Sequence, residues 1–364
     1  MDHARQHPLG DGRRPKLPHD VRLDMSHLTY LEAAVVGLVQ GVTELFPVSS
    51  LGHNVLIPAL VGGSWGADLN VATPESPYLA FIVGLHVATA IALLIYFWRD
   101  WIRIIRGFFT SLAHFARPAA GTRRWQLPDA NQKLAWMIIL ATIPVGLVGL
   151  IFEHEFRVLF GRPVRAAVFL VINGLILLAG EKFRRRASVR ADQDIARERE
   201  LVAAGQARRE GPARHAAGHQ AERATEYARG LESDQRMART SYLKAFLIGC
   251  AQILALLAGI SRDGVAMVAG MLSGLSREDA ARFAFLLATP VILAAGVLKV
   301  PDLMGRLGNG IRGPILVGSV FSGVGAYLSV RFLIRYFRTR TLTPFAIYCF
   351  VVGGASLLYL GVIK

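Results

Sequence analysis

The sequence predicts an all-α integral membrane protein with six transmembrane helices and two re-entrant helical hairpins that are related by an inverted-topology repeat. Three observations indicate this fold class. Hydrophobic residues make up 53% of the 364 residues and charged residues only 18%, a balance more apolar than a soluble core needs. Several apolar runs are long enough to cross a bilayer, and two more are broken in the middle.

Six apolar runs match a hydrocarbon core of about 30 Å, which takes roughly 20 helical residues to cross. We place the transmembrane helices at about residues 78–98, 134–152, 164–180, 283–300, 314–334 and 344–363. The membrane domain then covers residues 29–364. Residues 1–28 form a polar tail that lacks the apolar centre of a signal peptide, and we expect it to be disordered.

Two further apolar stretches, 31–60 and 243–275, are interrupted by segments 46–50 and 258–264. Each half is too short to span the membrane. Broken segments occur at membrane depth only where protein or a wet cavity satisfies the freed backbone groups. We therefore expect both stretches to be re-entrant hairpins.

The formal charge of +15 does not indicate nucleic acid binding, because the basic residues cluster between apolar runs. The loop 99–133 and the start of a charged insertion, 184–240, are rich in Arg and Lys and should be cytoplasmic. Threading the spans from these loops makes the hairpins enter from opposite faces, although the basic tail then lies outside. The insertion is expected to be disordered or a solvated helix.

The two hairpins also resemble each other in sequence. Aligning Gln40 with Gln252 brings Ser49 onto Ser261. Together with opposite entry sides, this match describes an inverted repeat, a plan that places binding sites where broken helices meet. The second half-helices would then begin near the two serines and point their positive amino-termini into one cavity, which suits an anion.

The first hairpin carries side chains that suit catalysis. Gln40 and Glu44 share a helical face. A carboxylate at membrane depth is costly unless it is paired or hydrated, so Glu44 is a functional candidate, with a wet interface as the alternative. Ser49 and Ser50 follow the break, where one serine would cap the helix and the other would react. His53 is either a proton-transfer group or a hydrogen-bonded core histidine.

The second hairpin carries Arg262 beside a glycine-rich break. Its guanidinium needs an anionic partner and suits phosphate, with Asp263 or Glu44 as alternative partners within the chain. His86, inside the span 78–98, is either a contact of this site or a structural polar residue. These side chains favour phosphoryl transfer, in which positioning and charge neutralisation do most of the work.

Two motifs make the chain recognisable. Residues 40–53 read QGVTELFPVSSLGH and residues 259–264 read GISRDG. The first closely resembles the first signature of the undecaprenyl-diphosphate phosphatase (bacitracin-resistance) family, and the second is similar to that family's second signature. The resemblance runs from about Tyr30 to Ile363.

The resemblance implies hydrolysis of undecaprenyl diphosphate to the monophosphate by an enzyme of the bacterial inner membrane that depends on a divalent cation, Mg or Ca. Ser50 would be the nucleophile or would orient water. Glu44, with Gln40, would bind the metal or act as base, and His53 would shuttle the proton. The phosphates would be held by a group of residues on both hairpins: Ser49, Gly259, Ser261 and Arg262. The partners are the polyprenyl diphosphate lipid and the membrane, with no nucleic acid and with a homodimer left open.

Five positions depart from the family pattern: Leu51, Ala258, Asp263, Ala266 and Cys349. Asp263, beside Arg262, would repel a diphosphate or become a metal ligand. A paralogue with another prenyl-diphosphate substrate is therefore one alternative. Others are a lipid-phosphate transporter, since inverted repeats with broken helices are typical of transporters, and a receptor or scaffold that uses the insertion.

Overall fold

The computed structural model describes residues 28–69, 77–116, 127, 129–160, 162–203, 219–304 and 310–362. Within these ranges the regular structure is entirely helical, as the sequence predicts. The helices are α1 (Tyr30–Leu45), α2 (Ser50–Val61), α3 (Gly63–Asp68), α4 (Pro77–Tyr96), α5 (Trp98–Ala116), α6 (Ala130–Phe160), α7 (Pro163–Ala203), α8 (His219–Ala238), α9 (Tyr242–Ala251), a 3-10 turn (Gln252–Leu256), α10 (Arg262–Leu272), α11 (Arg277–Met304), α12 (Arg312–Tyr336) and α13 (Thr343–Val362). The tail before residue 28 lies outside the described residues.

By length and composition, five helices in the described residues are apolar enough to cross a membrane. These candidate spans are Ala130–Phe152, Pro163–Arg186, Arg277–Leu298, Arg312–Tyr336 and Thr343–Val362. The count rises to six if the bent pair Phe81–Tyr96 and Trp98–Ala116 is one span. The chain is therefore a multi-pass membrane protein by its helix content.

Both expected hairpins are short broken helix pairs. The first is α1 followed by α2, and the second is α9 with its 3-10 turn followed by α10. Pro47 ends the first half-hairpin, because the residue before proline avoids helical geometry, and Phe46 is accordingly extended at φ −67° and ψ 140°. In the second hairpin Gly259 adopts φ +113°, which favours glycine.

The first half of each hairpin packs closely on a long helix through a glycine. An added Cβ on Gly37 would lie 2.2 Å from the carbonyl oxygen of Gly318 in α12, and one on Gly249 would lie 2.3 Å from that of Ala141 in α6. Small residues let helix backbones approach this closely inside a membrane. The two glycines occupy equivalent positions when Gln40 is aligned with Gln252.

The segment 99–133, expected as a loop between spans, contains a helix that the sequence did not predict: residues 98–116 form α5, which bends by 84° from α4. This helix is difficult to recognise from the sequence, because its apolar residues alternate with arginines instead of forming one long apolar run. Ile104, Gly107 and Ser111 face inward, and other apolar residues of α5 lie on the surface.

The insertion 184–240 is helical at both ends and is integrated into the fold at its second end. Helix α7 continues to Ala203, and residues 204–218 lie outside the described residues. Asp234 in α8 accepts hydrogen bonds from Arg103 in α5 at 2.8 Å and from Arg282 in α11 at 3.2 Å. Nearby, Asp279 accepts hydrogen bonds from Ser233 and Arg236 of α8. Helix α8 is thus held against α5 and α11.

Candidate active site

The tips of the two hairpins meet inside the protein. Ser49 Oγ accepts a hydrogen bond from the Gly52 N–H of its own hairpin and another from the Gly259 N–H of the second hairpin, both at 3.2 Å. Asn173 of α7 joins the tips as well, since its Nδ2 donates to the Pro47 carbonyl at 2.9 Å and its Oδ1 accepts from the Ser261 N–H at 3.0 Å. The amino-termini of α2 and α10 therefore begin side by side.

Glu44 lies at the centre of the site and is 8% exposed. Its Oε2 accepts hydrogen bonds from Gln40 Nε2 at 2.9 Å and from Ser50 Oγ, and His86 Nε2 lies 3.3 Å from the same oxygen. Its Oε1 accepts from Arg262 Nη2 at 2.6 Å. Burial of this carboxylate is compensated by several donors and one cation, as a low-dielectric site requires.

Arg262 contacts both of the alternative partners that the sequence offers. Besides Glu44, its Nε lies 3.6 Å from Asp263 Oδ1, an ion pair that is too long for a hydrogen bond. Asp263 is 1% exposed, and within the described ranges neither of its carboxylate oxygens accepts a hydrogen bond. Arg262 therefore stands between two carboxylates, one of which has spare acceptor capacity.

His53 is close to the reactive turn in sequence but points elsewhere. Its Nδ1 donates to the Ser49 carbonyl oxygen at 2.7 Å, and its Nε2 lies 2.7 Å from the Tyr348 hydroxyl in α13. A carbonyl oxygen can only accept, so Nδ1 carries a proton and the neutral ring accepts from Tyr348. Both ring nitrogens are therefore engaged with groups other than the Ser50 hydroxyl.

His86 is the histidine that contacts Glu44. Its Nδ1 lies 2.8 Å from the Ile82 carbonyl one turn earlier, which orients the ring with Nε2 towards the carboxylate. Its side chain is 26% exposed, compared with 6% for that of Glu44. His86 thus lies between the carboxylate and the surface. The sequence left two alternatives for His86, a contact of the site or a structural polar residue, and in the structure His86 contacts the site.

The phosphate-binding candidates of the second hairpin have distinct positions. Ser261 caps α10, since its Oγ accepts from the Gly264 N–H at 3.1 Å. Gly259 fits against α7 so closely that an added Cβ would lie 2.3 Å from the Ala166 carbonyl oxygen. Both residues therefore shape the backbone at the start of α10, from which Arg262 reaches Glu44.

Three further residues belong to this network, although they are not among the candidate residues predicted from the sequence. Asn54 donates to Gln40 Oε1 at 2.7 Å, while Asn173 and Tyr348 hold the hairpin tips as described above. An uncharged amide inside an apolar run was the available signal for both asparagines, because burial of an amide requires a hydrogen-bond partner.

The side chains of the site can be compared with the ligands that the divalent cation implied by the family resemblance would need. Within the described ranges, no group of three or more His, Cys, Asp or Glu side chains is placed to hold a metal ion. Glu44 offers one carboxylate. Gln40 must present its NH₂ to Glu44, which only accepts, so the oxygen of Gln40 faces Asn54. Mg²⁺ is commonly bound through one or two carboxylates plus substrate phosphates, and Glu44 alone fits that mode.

Comparison with known proteins extends the resemblance over most of the chain. The family model described as "Bacitracin resistance protein BacA" matches residues 33–210 and 213–355. A protein of Mycolicibacterium paratuberculosis named undecaprenyl-diphosphatase is 56% identical over 335 residues, which cover 92% of this chain and 98% of the relative. Undecaprenyl-diphosphatase 1 of Frankia casuarinae is 48% identical over 93% of this chain and 100% of its own length. The resemblance indicated by the two motifs is confirmed.

Proposed function

Because the chain belongs to the bacitracin resistance protein BacA family, we propose that it hydrolyses undecaprenyl diphosphate to undecaprenyl phosphate and inorganic phosphate. This reaction recycles the lipid carrier of cell-wall polysaccharide synthesis and confers bacitracin resistance. The observation that carries the proposal is the contact of Ser50 and Arg262 with the two oxygens of a single carboxylate, Glu44. A hydroxyl nucleophile and a phosphate-binding cation thus flank one base.

In the proposed reaction Ser50 Oγ gives its proton to Glu44 Oε2 while it forms a bond to the terminal phosphorus. The bond from that phosphorus to the bridging oxygen breaks, and undecaprenyl phosphate leaves with the bonding electrons. Water then attacks the phosphoserine, the Oγ–P bond breaks, and Glu44 returns its proton to Ser50. Both hydrogens of the water leave with inorganic phosphate. In the alternative route, Ser50 orients a water molecule that attacks directly.

Arg262 supplies the charge that the diphosphate needs. Its planar group matches phosphate oxygens, and an arriving diphosphate would compete with Glu44 for it. Transfer of Arg262 to the phosphates would release Glu44 Oε1 and bring the cation next to the oxygens on which charge develops. Ser49, Ser261 and Gly259 support this step by fixing the two helix amino-termini beside Arg262.

The two histidines take different roles in this scheme. His86 contacts the proton-accepting oxygen of Glu44 and is partly exposed, so it is the histidine placed to exchange that proton with the surroundings. His53 holds the Ser49 carbonyl and Tyr348. It therefore positions the turn that carries Ser50, in place of the proton-shuttle role implied by the family resemblance.

We further propose a divalent cation, Mg or Ca, that arrives with the diphosphate. Glu44 would hold it through a carboxylate oxygen, and the substrate phosphates would supply further ligands. Such a cation neutralises phosphate charge and polarises the P–O bonds.

For the architecture we propose six spanning helices, two re-entrant hairpins and an inverted repeat in the bacterial inner membrane. The equivalent close contacts of Gly37 and Gly249, together with the equivalent caps Ser49 and Ser261, support the repeat. The membrane domain would span residues 29–364, with the insertion 184–240 on the cytoplasmic side.

The central test is phosphate release from undecaprenyl diphosphate by the purified protein in detergent. Glu44→Gln keeps the shape of the side chain but removes the base, and we expect phosphate release to fall about a thousandfold. Glu232→Gln is the matched control, since this carboxylate is 68% exposed on α8, and its activity should stay native. Equal activity of the two variants would reject the site. Lipid transport across proteoliposomes without phosphate release would instead support a transporter.

Acid quenching of the native reaction, followed by mass spectrometry, distinguishes the two routes. Phosphorylation on Ser50 supports the covalent route. Its absence in a reaction that still depends on Ser50 supports direct attack by water.

A further inference from the structure

Helix α5 carries an exposed apolar stripe. Five large apolar side chains, each between 43% and 63% exposed, recur at intervals of four and three residues: Trp98, Ile102, Ile105, Phe109 and Leu112. At 3.6 residues per turn this spacing keeps them on one face of the helix. We call these five residues the α5 stripe. A stripe of this length on a helix surface marks contact with another apolar phase.

A row of arginines runs beside the α5 stripe. Arg99, Arg103 and Arg106 each follow a stripe residue by one position, so they lie along the neighbouring flank of the helix. Arg103 is paired with Asp100 and Asp234. Arg99 and Arg106 are exposed, and neither forms an ion pair within the part of the chain that the structure describes. Two cations are thus open to an anionic partner.

Arg99 is held in a position that suits a phosphate group. Its guanidinium carbon lies 5.1 Å from the ring centre of Trp98 and 5.7 Å from that of Tyr227 in α8. Stacking on rings uses the faces of the guanidinium, while its N–H donors lie in the plane and stay available at the edge. Because stacking restricts the side chain, less conformational freedom is lost when an anion binds.

The orientation of α5 is fixed by its third face. Gly107 packs so tightly that an added Cβ would lie 2.7 Å from the Asn131 carbonyl carbon, and Ser111 Oγ accepts from Trp136 Nε1 at 2.9 Å. These contacts prevent rotation of α5 about its own axis, so the α5 stripe stays exposed. Since α5 turns by 84° from α4, it lies near the membrane plane if α4 crosses the membrane.

We propose that α5 is an interfacial helix that binds anionic phospholipids, with the acyl chains against the α5 stripe and the headgroups at Arg99 and Arg106. A helix with an apolar face and a basic flank is the type that lies at the membrane surface. The cytoplasmic leaflet is the anionic one in the general case, and the cytoplasmic placement expected for residues 99–133 puts α5 there. This proposal is independent of the phosphatase activity.

The test measures the thermal midpoint of the full-length protein in detergent, titrated with phosphatidylglycerol or with zwitterionic phosphatidylcholine of the same chains. We expect phosphatidylglycerol to raise the midpoint more at equal concentration. Arg99→Gln with Arg106→Gln should weaken the apparent affinity for phosphatidylglycerol about 30-fold, because each basic side chain at an anionic surface contributes about fivefold. Arg239→Gln with Arg340→Gln removes the same charge from exposed sites outside α5 and should leave the affinity near native.

Two further measurements test the proposal even if the variant Arg99→Gln with Arg106→Gln does not fold. The response of the native protein to phosphatidylglycerol should shrink as salt screens the charges. Tyr227→Leu should weaken the response without a change in charge, whereas Tyr227→Phe should preserve it. Equal responses to the two lipids, or an unchanged response in the α5 double variant, would overturn the proposal.

Discussion

At the first hairpin tip Ser49 caps α2, and at the second tip Ser261 caps α10, each hydroxyl accepting from the N–H three residues later, in Gly52 and Gly264. The next position differs between the tips. There the first hairpin has Ser50 and the second has Arg262. Both side chains point to Glu44, which has no counterpart in the second hairpin because Leu256 stands at the equivalent position.

This difference indicates how two similar hairpin tips can form one asymmetric site. The shared features, a serine cap and a closely packed glycine, place two helix amino-termini together. In the proposed reaction, the features that differ divide the chemistry: the first hairpin would supply the nucleophile and the base, and the second would supply the cation. Neither hairpin would be sufficient alone. Matched substitutions at equivalent positions test this division.

The largest expected effects are at the equivalent positions Ser50 and Arg262. Ser50→Ala should lower kcat about a thousandfold, since it removes the proposed nucleophile. The thermal midpoint should change little, because Glu44 keeps its contacts with Gln40, His86 and Arg262. Arg262→Ala should lower kcat/KM by about two to three orders of magnitude and also raise KM, because it removes phosphate binding and leaves Glu44 without its cation. Steady-state phosphate release measures both parameters.

Arg262→Lys is the conservative variant for this comparison. It restores the charge but not the planar fork, so part of the loss in kcat/KM should be recovered. As a control for serine loss, Ser356→Ala removes a hydroxyl that donates to the Val352 carbonyl one turn earlier in its own helix, and activity should stay native. Identical kinetic defects in Ser50→Ala and Arg262→Ala would contradict the division of labour.

Much of the scaffold followed from the sequence, for local reasons. Pro47 and Gly259 mark the breaks because their backbone geometry interrupts a helix wherever they occur in such a segment. Aligning Gln40 with Gln252 predicted that the second half-helices begin near Ser49 and Ser261, and these two serines cap the helices in the structure. Glu44 and Arg262 stand out in the sequence because a charged side chain inside an apolar segment needs a partner.

Other parts of the site depend on contacts between distant segments, for which the sequence contains no spacing rule. His86 meets Glu44 only because α4 passes the first hairpin, and Tyr348 reaches His53 from α13. Asn173 joins both tips from α7, far from either in sequence. Helix α5 differs for another reason: its apolar residues recur every three to four positions instead of forming the long apolar run by which a spanning helix is recognised.

An intermediate effect is expected for the paired glutamines. Gln40 bonds to both Glu44 and Asn54 inside the site, so Gln40→Leu should lower kcat/KM by about one to two orders of magnitude, because Glu44 loses one of its donors and the buried amide of Asn54 loses its acceptor. Within the described ranges the Gln252 side chain makes a single long hydrogen bond, 3.4 Å to the Ala141 carbonyl. Gln252→Leu should change kcat/KM by less than about threefold.

Phosphate-release kinetics on both glutamine variants, with thermal midpoints as a check of folding, make this comparison. A loss of activity in Gln252→Leu as large as that in Gln40→Leu would show that the second hairpin contributes more than backbone geometry and Arg262.

The smallest effects are expected for the two serine caps, and they concern stability more than rate. Ser261→Ala removes one capping hydrogen bond and should cost about 1 kcal/mol of unfolding free energy. Ser49→Ala should cost more, about 2 kcal/mol, because the same hydroxyl also accepts from the Gly259 N–H of the other hairpin. Thermal midpoints in one detergent rank the two variants.

The double variant Ser49→Ala with Gly52→Ala should have the largest effect on the thermal midpoint. An added Cβ on Gly52 would lie 2.9 Å from the Gly259 Cα and would separate the tips. Equal midpoints for Ser49→Ala and Ser261→Ala would mean that the hydrogen bond between the hairpins contributes nothing, and the two tips would then be held together by Asn173 and by packing alone.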